Sequence, residues 1–491
     1  MSEASKHGET RSDRYRARDN LLIQGDALNA LTSLIRLPEF AREYVGKVKL
    51  CYLDPPFNTL QSFLQYDDAL EHSVWLTMMR DRLLQVRQLL SDDGSVWVHL
   101  DDSEMAYCRI VLDEVFGREC FVGTIVWENF YGRSNAAAIS PAHNYILVYS
   151  PMGLNWKKAR NLLPRDEKSA IKYKNPDNDP RGPWRLGPIF APEERHEGLM
   201  YTIKTPSGRE IRPPRGSHWR MIEREFWDLV DDGRISFGEN GDNTPALKLF
   251  LNEVQEGLVP RTWWPHTEVK HSQEAKREIQ ALFPELTPFD TPKPEALMQR
   301  IIGIATNPGE VVLDCFLGSG TTAAVAHKMG RRWVGIERSD EVVSTFAKPR
   351  LLKVIANNDP GGVTKLVDWT GGDGFRHLRV ATSMFEEDEG TVYLSDWAVN
   401  GKLAEATAAQ LGYEYCPEPP FSGTKGRTRL AVVDGLVNEA VVRAIAGSLG
   451  EAERLVLCGT AIDPDCRSLL KELRPGSTLR KIPSSILATY R

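Results

Sequence analysis

Between residues 20 and 150 the hydrophobic positions follow two alternating patterns. Short, nearly continuous apolar runs at 20–24 (NLLIQ), 48–53 (VKLCYL), 95–100 (SVWVHL), 121–127 (FVGTIVW) and 144–149 (NYILVY) have the length and residue types of buried strands. The stretches at 27–36, 73–90 and 103–116 carry their apolar residues at helical spacing instead. This alternation predicts a mainly parallel, doubly wound sheet with helices packed on it, an α/β fold of the Rossmann-like kind. The same order returns later: a helix over 294–306, a strand over 311–315, a Gly-rich turn, a helix over 320–329 and a strand over 332–337. The two stretches, 20–150 and 289–350, are expected to form one sheet interrupted by an insertion over 151–288.

The insertion has a different pattern, rich in Pro, Gly and Trp and poor in apolar runs. Between 151 and 224 it holds 16 Lys/Arg against 9 Asp/Glu, with Trp156, Tyr173, Trp184, Tyr201 and Trp219 interleaved. Basic groups for phosphates beside flat groups for bases suit a nucleic-acid face. A loop-rich domain with buried tryptophans would read the same way. Residues 1–19 are polar, without a secretory apolar segment, and are expected to be a disordered start. Residues 351–425 read as a connector. Residues 426–491 read as a small α/β domain of unassigned role, with strands near 429–434, 454–458 and 478–482 and helices near 437–449 and 464–473.

The chain's 491 residues exceed what one core supports, so two to four domains are expected. No apolar run approaches the ~20 residues that span a bilayer. The 7 cysteines are scattered and form no C-x-x-C pair, which implies a reducing, cytoplasmic setting without a structural zinc. The formal net charge of −6 seems at first to exclude nucleic acid, but the local excess over 151–224 removes that objection.

Candidate chemistry gathers at strand ends. Asp54-Pro55-Pro56-Phe57 follows the strand 48–53, at the carboxyl end where open α/β sheets bind ligands. Two prolines give a stiff loop whose carbonyls accept hydrogen bonds. An exocyclic amino group on a base could donate to the Asp54 carboxylate and to the Pro55 carbonyl while Phe57 stacks on the ring. A second element, Asp314-Cys-Phe316-Leu-Gly318-Ser319-Gly320-Thr321, runs from a strand through a Gly-rich turn into a helix, and Glu337 ends the next strand, where it can accept from ribose hydroxyls. The full G-x-G-x-x-G spacing and the phosphate-loop G-K-[ST] are both absent, so an adenosyl ligand without pyrophosphate fits better than NAD or ATP. Asp26 ends the first strand, as a helix cap or a ligand.

Together these residues resemble the β-class amino-methyltransferases of DNA, most closely the modification subunits of type III restriction–modification systems, over about residues 20–380. The resemblance implies a circularly permuted S-adenosylmethionine-dependent fold: catalytic D-P-P-Y/F motif first, target-recognition region next, cofactor motif last. It implies a catalytic role for Asp54, Pro55, Pro56 and Phe57. It places Asp314, Phe316, Gly318, Ser319, Gly320 and Thr321 at the methionine end of the cofactor, Glu337 at the ribose and Asp26 at the adenine. The run Phe289-Asp-Thr-Pro292-Lys293-Pro294 matches the family's F-x-x-P-K-P motif, so Phe289, Pro292 and Lys293 are expected at the cofactor. Phe57 departs from the commoner Tyr, and Gly371-Gly-Asp-Gly-Phe375 matches a family G-G-G-F stretch only loosely. The implied reaction is methyl transfer to N6 of a flipped-out adenine in double-stranded DNA, without a metal. N4-cytosine methylation and a silent specificity subunit are the alternatives. A homodimer and an ATP-dependent restriction subunit are the implied partners, with no membrane association.

Overall fold

The computed structural model describes residues 1–59, 70–133, 137–165, 171–193, 195, 198–253, 257–380, 385–388, 391–394 and 399–482. They form two units, Met1–Asn161 with Arg261–Arg491, and Leu162–Pro260.

A ten-stranded sheet underlies the first unit. In chain order its strands are β1 (Ser2–Gly8), β2 (Asn20–Gln24), β3 (Val48–Leu53), β4 (Leu90–Leu100), β5 (Phe121–Trp127), β6 (Asn144–Tyr149), β7 (Trp263–Trp264), β8 (Val311–Asp314), β9 (Arg332–Glu337) and β10 (Gly374–Arg379). In space they run β1-β10-β2-β9-β8-β3-β4-β6-β5-β7. The six from β10 to β4 are mutually parallel, and β1 and β6 run against them. Strands covered on both faces favour near-continuous apolar runs, and VKLCYL is buried throughout, its one charged residue, Lys49, being paired with Asp93. Helices α1 (Ala27–Arg36), α2 (His72–Leu89) and α3 (Met105–Phe116) bury Leu31, Met79, Leu83 and Leu112 in the main core with Leu21, Cys51 and Leu313 from the sheet. α4 (Ser272–Leu282), α5 (Glu295–Ala305), α6 (Thr321–Lys328) and α7 (Lys348–Ile355) follow later in the chain. α6 is buried at every residue, and its alanines at 323, 324 and 326 let neighbours approach closely.

Three expectations are corrected. The polar start is ordered: β1 pairs antiparallel with β10, from Ser2–Arg379 to Gly8–Gly374. Arg376 on β10 has no exposed side chain and needs counter-charges. Its Nε donates to Asp19 at 2.6 Å, and its Nη1 donates to Asp13 at 2.9 Å and to Glu3. The charges that made the start look disordered are the partners of a buried arginine. Only residues 162–260 of the insertion form a separate unit. Trp156 is buried and donates to the Asp93 carbonyl at 3.2 Å, and β7 and α4 also lie in the first unit. Finally, 351–425 is not a connector, because β10 completes the main sheet and the C-terminal fold starts well before 426.

That C-terminal fold is a five-stranded sheet of β11 (Glu414–Glu418), β12 (Phe421–Lys425), β13 (Thr428–Val437), β14 (Arg454–Ile462) and β15 (Thr478–Lys481), in that order. Alternate residues point to opposite faces. Leu430, Val456 and Cys458 pack with Leu403 and Ala408 of α8 (Asn400–Leu411), whereas Ala431, Leu455 and Leu457 pack with α9 (Glu439–Gly447) and α10 (Cys466–Leu473). The fold is tied to the main domain where Arg16, held by Glu39, also donates to Glu405 at 3.1 Å.

The unit Leu162–Pro260 has short strands around Ile189, Ile203, Trp219, Phe226 and Phe237. Trp219 and Tyr201 belong to this core, with the Trp219 indole donating to the Tyr201 carbonyl at 2.8 Å. Two of the aromatics read as base-stacking groups are therefore structural. Tyr173 is half-buried between Arg165 and Arg185, whose guanidinium carbons lie 5.5 and 5.8 Å from its ring centre.

Arg376→Met leaves the buried Asp19 with only the exposed Arg11, 3.8 Å away, as a cation among the described residues, which costs about 3–5 kcal/mol. Chemical denaturation should show a loss of that size, and Glu3→Gln, which removes a more exposed partner, should show a much smaller one.

Candidate active site

The parallel pairing of β3, β8 and β9 assembles the site. Tyr52 lies in register with Asp314, and Asp314 with Gly335. The carboxyl ends of β3, β8 and β9 therefore lie side by side, which brings Asp54 next to the Gly-rich turn and to Glu337. Two segments some 260 residues apart in the chain become neighbours.

Asp54 leaves the buried strand into the Pro55-Pro56 loop. The Trp75 indole donates to the Pro56 carbonyl at 2.7 Å and fixes the loop against α2. Asn58, with φ +60°, turns the chain and donates to Glu104 at 2.8 Å. Asp54 Oδ2 accepts from Lys293 Nζ at 2.5 Å. Oδ1 is buried without a hydrogen-bond partner among the described residues. Burial pushes the Asp54 carboxyl up, and the Lys293 ammonium acts against that. The same ammonium lies 5.3 Å from the centre of the Phe57 ring.

Behind Phe57 stands His99, fully buried, its ring centre 5.7 Å away. Tyr52 Oη and His99 Nδ1 are 2.8 Å apart, and the Trp127 ring meets His99 edge-on at 5.3 Å. Burial holds the imidazole well below its usual range and therefore neutral. Sequence reading missed His99, Tyr52 and Trp75. A histidine inside the apolar run VWVHL was the available signal, since a buried polar group needs a partner.

At the turn, Asp314 Oδ1 accepts from the Phe316 N–H at 2.9 Å. Glu337 accepts from Gly318 N–H at 2.8 Å through Oε2 and from Ser339 N–H at 2.9 Å through Oε1. Gly318 and Gly320 have φ +52° and +83°, open to glycine at little cost. A Cβ on Gly318 would stand 3.4 Å from the Phe289 ring, and one on Gly320 3.2 Å from Ala347 Cα. Both positions thus favour glycine for backbone conformation, and at Gly320 a side chain would also be crowded against Ala347. Ser319 and Thr321 are buried, and Thr321 Oγ1 accepts from Arg350 Nη1 at 2.7 Å. Burial pushes Asp314 up to about 7, with further upward pressure from Asp54 and Glu337, and it raises Glu337 as well.

The F-x-x-P-K-P segment divides between two places. Phe289 is buried, its ring beside Gly318. Lys293, expected at the cofactor, is paired with Asp54. Pro292 is buried, and Pro294 leads into α5, whose first residue, Glu295, is buried between Lys328 and Arg350 at 2.9 and 2.8 Å. Lys328 also reaches Asp359 at 2.6 Å. Asp26 caps α1 by accepting from the Leu28 and Asn29 N–H groups, and its Oδ2 accepts from Arg82 at 2.8 Å.

These residues fit the adenosyl cofactor expected from the sequence. The glycine turn takes a ligand close to its backbone, α6 begins at the turn, and Glu337 ends the adjacent strand as an acceptor.

The DNA methylase family matches residues 48–348. The probable type III restriction-modification enzyme HindVI Mod subunit of Haemophilus influenzae is 29% identical over 418 residues, 74% of this chain and 54% of that protein. The type III restriction-modification enzyme StyLTI Mod subunit of Salmonella typhimurium is 30% identical over 410 residues, 74% of this chain and 60% of that protein. DNA adenine methyltransferase YhdJ of Escherichia coli is 21% identical over 327 residues, 66% of this chain and 79% of that protein. The chain spans little more than half the length of the two Mod subunits.

Asp314 gives a stability prediction. Its folded-state pKa of about 7 lies above the unfolded value of 3.8, so the folded state binds the extra proton and stability is lost as pH rises through that window. Asp314→Asn keeps the acceptor for Phe316 N–H but cannot ionise. Its melting temperature should exceed that of wild type by more at pH 8 than at pH 5. An equal difference at both pH values would place the titration elsewhere.

Proposed function

The chain belongs to the DNA methylase family, and on that premise we propose that it methylates N6 of a target adenine in double-stranded DNA, as the modification component of a restriction–modification system. The observation that carries this reading is Asp54: one carboxylate oxygen lies buried and unpartnered among the described residues, beside two prolines and an aromatic ring. An isolated acceptor in a desolvated site costs free energy unless a donor arrives, and an exocyclic amino group is such a donor. The adenine assignment is supported by the name of a relative, a DNA adenine methyltransferase. The Mod relatives support the restriction–modification setting. A homodimer and an ATP-dependent restriction subunit are part of the proposal and follow from the family resemblance alone.

The base must leave the helix stack to reach Asp54, at a cost of a few kcal/mol that stacking and hydrogen bonds in the pocket offset. Phe57 takes the ring face. Asp54 Oδ1 and the Pro55 carbonyl accept the two amino hydrogens, which draws the nitrogen lone pair out of conjugation and aims it away from the ring. S-adenosylmethionine, when bound, supplies a methyl group on a sulfonium leaving group. Glu337 accepts from ribose hydroxyls, and Phe289 forms a wall. Asp314, Phe316, Gly318, Ser319, Gly320 and Thr321 shape the methionine end. Asp26, a third exposed despite its cap and its Arg82 pair, keeps lone pairs for the adenine amino group. Positioning and electrostatics carry the rate. The unit 162–260, with exposed Arg185, Arg209, Arg212, Arg215 and Arg220, serves as the target-recognition region of a circularly permuted enzyme.

DNA incubated with the protein and labelled cofactor, then digested to nucleosides, should yield N6-methyladenine. Recovery of N4-methylcytosine would reassign the base, and no label at all would favour a silent specificity subunit. Asp54→Ala should lower transfer by at least ~10³-fold, with cofactor affinity within a few-fold of wild type. Substantial residual transfer would remove Asp54 from the mechanism.

A further inference from the structure

We propose that Lys293 is a positioning residue for this reaction: bridging Asp54 and the Phe57 ring, it holds acceptor and stacking surface at a fixed separation and presents a single carboxylate oxygen, Oδ1, to the target amino group. The inference rests on the methyl-transfer reading of the site and assigns Lys293 a place at the base instead of at the cofactor.

The geometry supports this in three ways. First, the ammonium contacts both groups that a target base must touch, Asp54 Oδ2 at 2.5 Å and the Phe57 ring centre at 5.3 Å. It links them before any base arrives, which is preorganisation. Second, it divides the carboxylate: Oδ2 is occupied and Oδ1 is left unpartnered among the described residues. Third, its own backbone is held. Pro292 and Pro294 fix the dihedrals on either side. Immediately afterwards Glu295 is locked by Lys328 and Arg350, both fully or almost fully buried. A lysine on a mobile loop could not set a distance, whereas this one is mounted on a rigid support.

The charge matters as well. Asp54 is faced by Lys293 from the segment before α5, by Asp314 from β8 and by Tyr52 from its own strand; His99 from β4 stands behind Phe57, and Glu337 lies one strand further, beside Asp314. Burial keeps the phenol of Tyr52 protonated and the imidazole of His99 neutral, and it pushes the Asp314 carboxyl up to about 7. None of these favours an ionised Asp54. Lys293 does. Removing the ammonium while keeping an unbranched chain lets a desolvated Asp54 take up a proton and become a weaker, neutral acceptor.

Lys293→Met and Lys293→Arg distinguish this from the other roles. Methyl transfer is measured from pH 6 to 9, together with cofactor affinity by calorimetry. Lys293→Met should bind S-adenosylmethionine within about threefold of wild type. Its kcat should fall at least tenfold at pH 6.5 and recover as pH rises, the acid limb moving up by about one pH unit or more. Lys293→Arg should return the limb to its wild-type position. Cofactor affinity falling in step with kcat would make Lys293 a cofactor ligand, and a loss equal at every pH would make it merely structural. Either result overturns the proposal.

A second readout needs no activity. Relative to wild type, Lys293→Met should lose thermal stability as pH rises from 5 to 8, because a raised folded-state pKa favours the protonated form, and this difference should vanish in an Asp54→Asn background. Additive effects in that cycle would refute the coupling. If wild type transfers no methyl group while the cycle shows coupling, the functional reading fails and the ion pair stands.

Discussion

The parallel pairing of Val48–Leu53 with Val311–Asp314 is the contact on which the candidate site depends. It closes a loop of some 260 residues and is built from backbone hydrogen bonds between two strands with almost no polar side chains. Only with these strands adjacent do Asp54, Asp314 and Glu337 share one edge of the sheet. The same adjacency takes three carboxyl groups out of water together. Each is pushed up by burial, and their mutual repulsion adds to the effect at Asp314. The site is therefore a local cost carried by the apolar core beneath it, in which Leu21, Cys51, Leu313 and Ile336 are fully or nearly fully buried.

Rigidity in this site comes from several directions. Trp75 fastens the proline loop from α2. Glu337 holds the glycine turn by its backbone. The buried group of Glu295, Lys328, Arg350 and Asp359 ties the start of α5 to α6 and α7, and through Arg350 to Thr321 at the beginning of α6. Buried ion groups of this sort add little net stability, but losing one member is expensive, so they favour a single arrangement. Here that arrangement fixes both the lysine facing Asp54 and the helix that leaves the cofactor turn.

Much of this was legible in the sequence where the signal was local. Apolar runs gave β2, β3, β5, β6 and β9 their observed bounds, since strands in the interior of a sheet tolerate few polar residues. The catalytic and glycine motifs were read from residue order, and pairing of β3 with β8 places them side by side. What escaped was non-local. The ordered start could not be seen because Glu3, Asp13 and Asp19 look solvated until Arg376, more than 350 positions away, is placed among them. Lys293 was placed by its motif, and its pairing with Asp54, 239 positions away, is a contact no motif gives. Composition made Trp156, Tyr201 and Trp219 candidates for stacking on bases, and packing claimed them for cores.

The order of strands in the sheet also bears on how the chain is made. β2 lies between β9 and β10, which leave the ribosome some 310 and 350 residues later. Until then both of its hydrogen-bonding edges are unsatisfied, around an apolar centre of Leu21, Leu22 and Ile23. Domains often begin to fold during synthesis at about 5–20 residues per second, which leaves this edge open for tens of seconds. Exposed strand edges are sites of wrong pairing. The chain order that sets the Asp54 loop early and the Gly318 turn late thus carries a biosynthetic burden: the nascent protein must be kept from aggregating until the last strand of this ten-stranded sheet, Gly374–Arg379, has emerged.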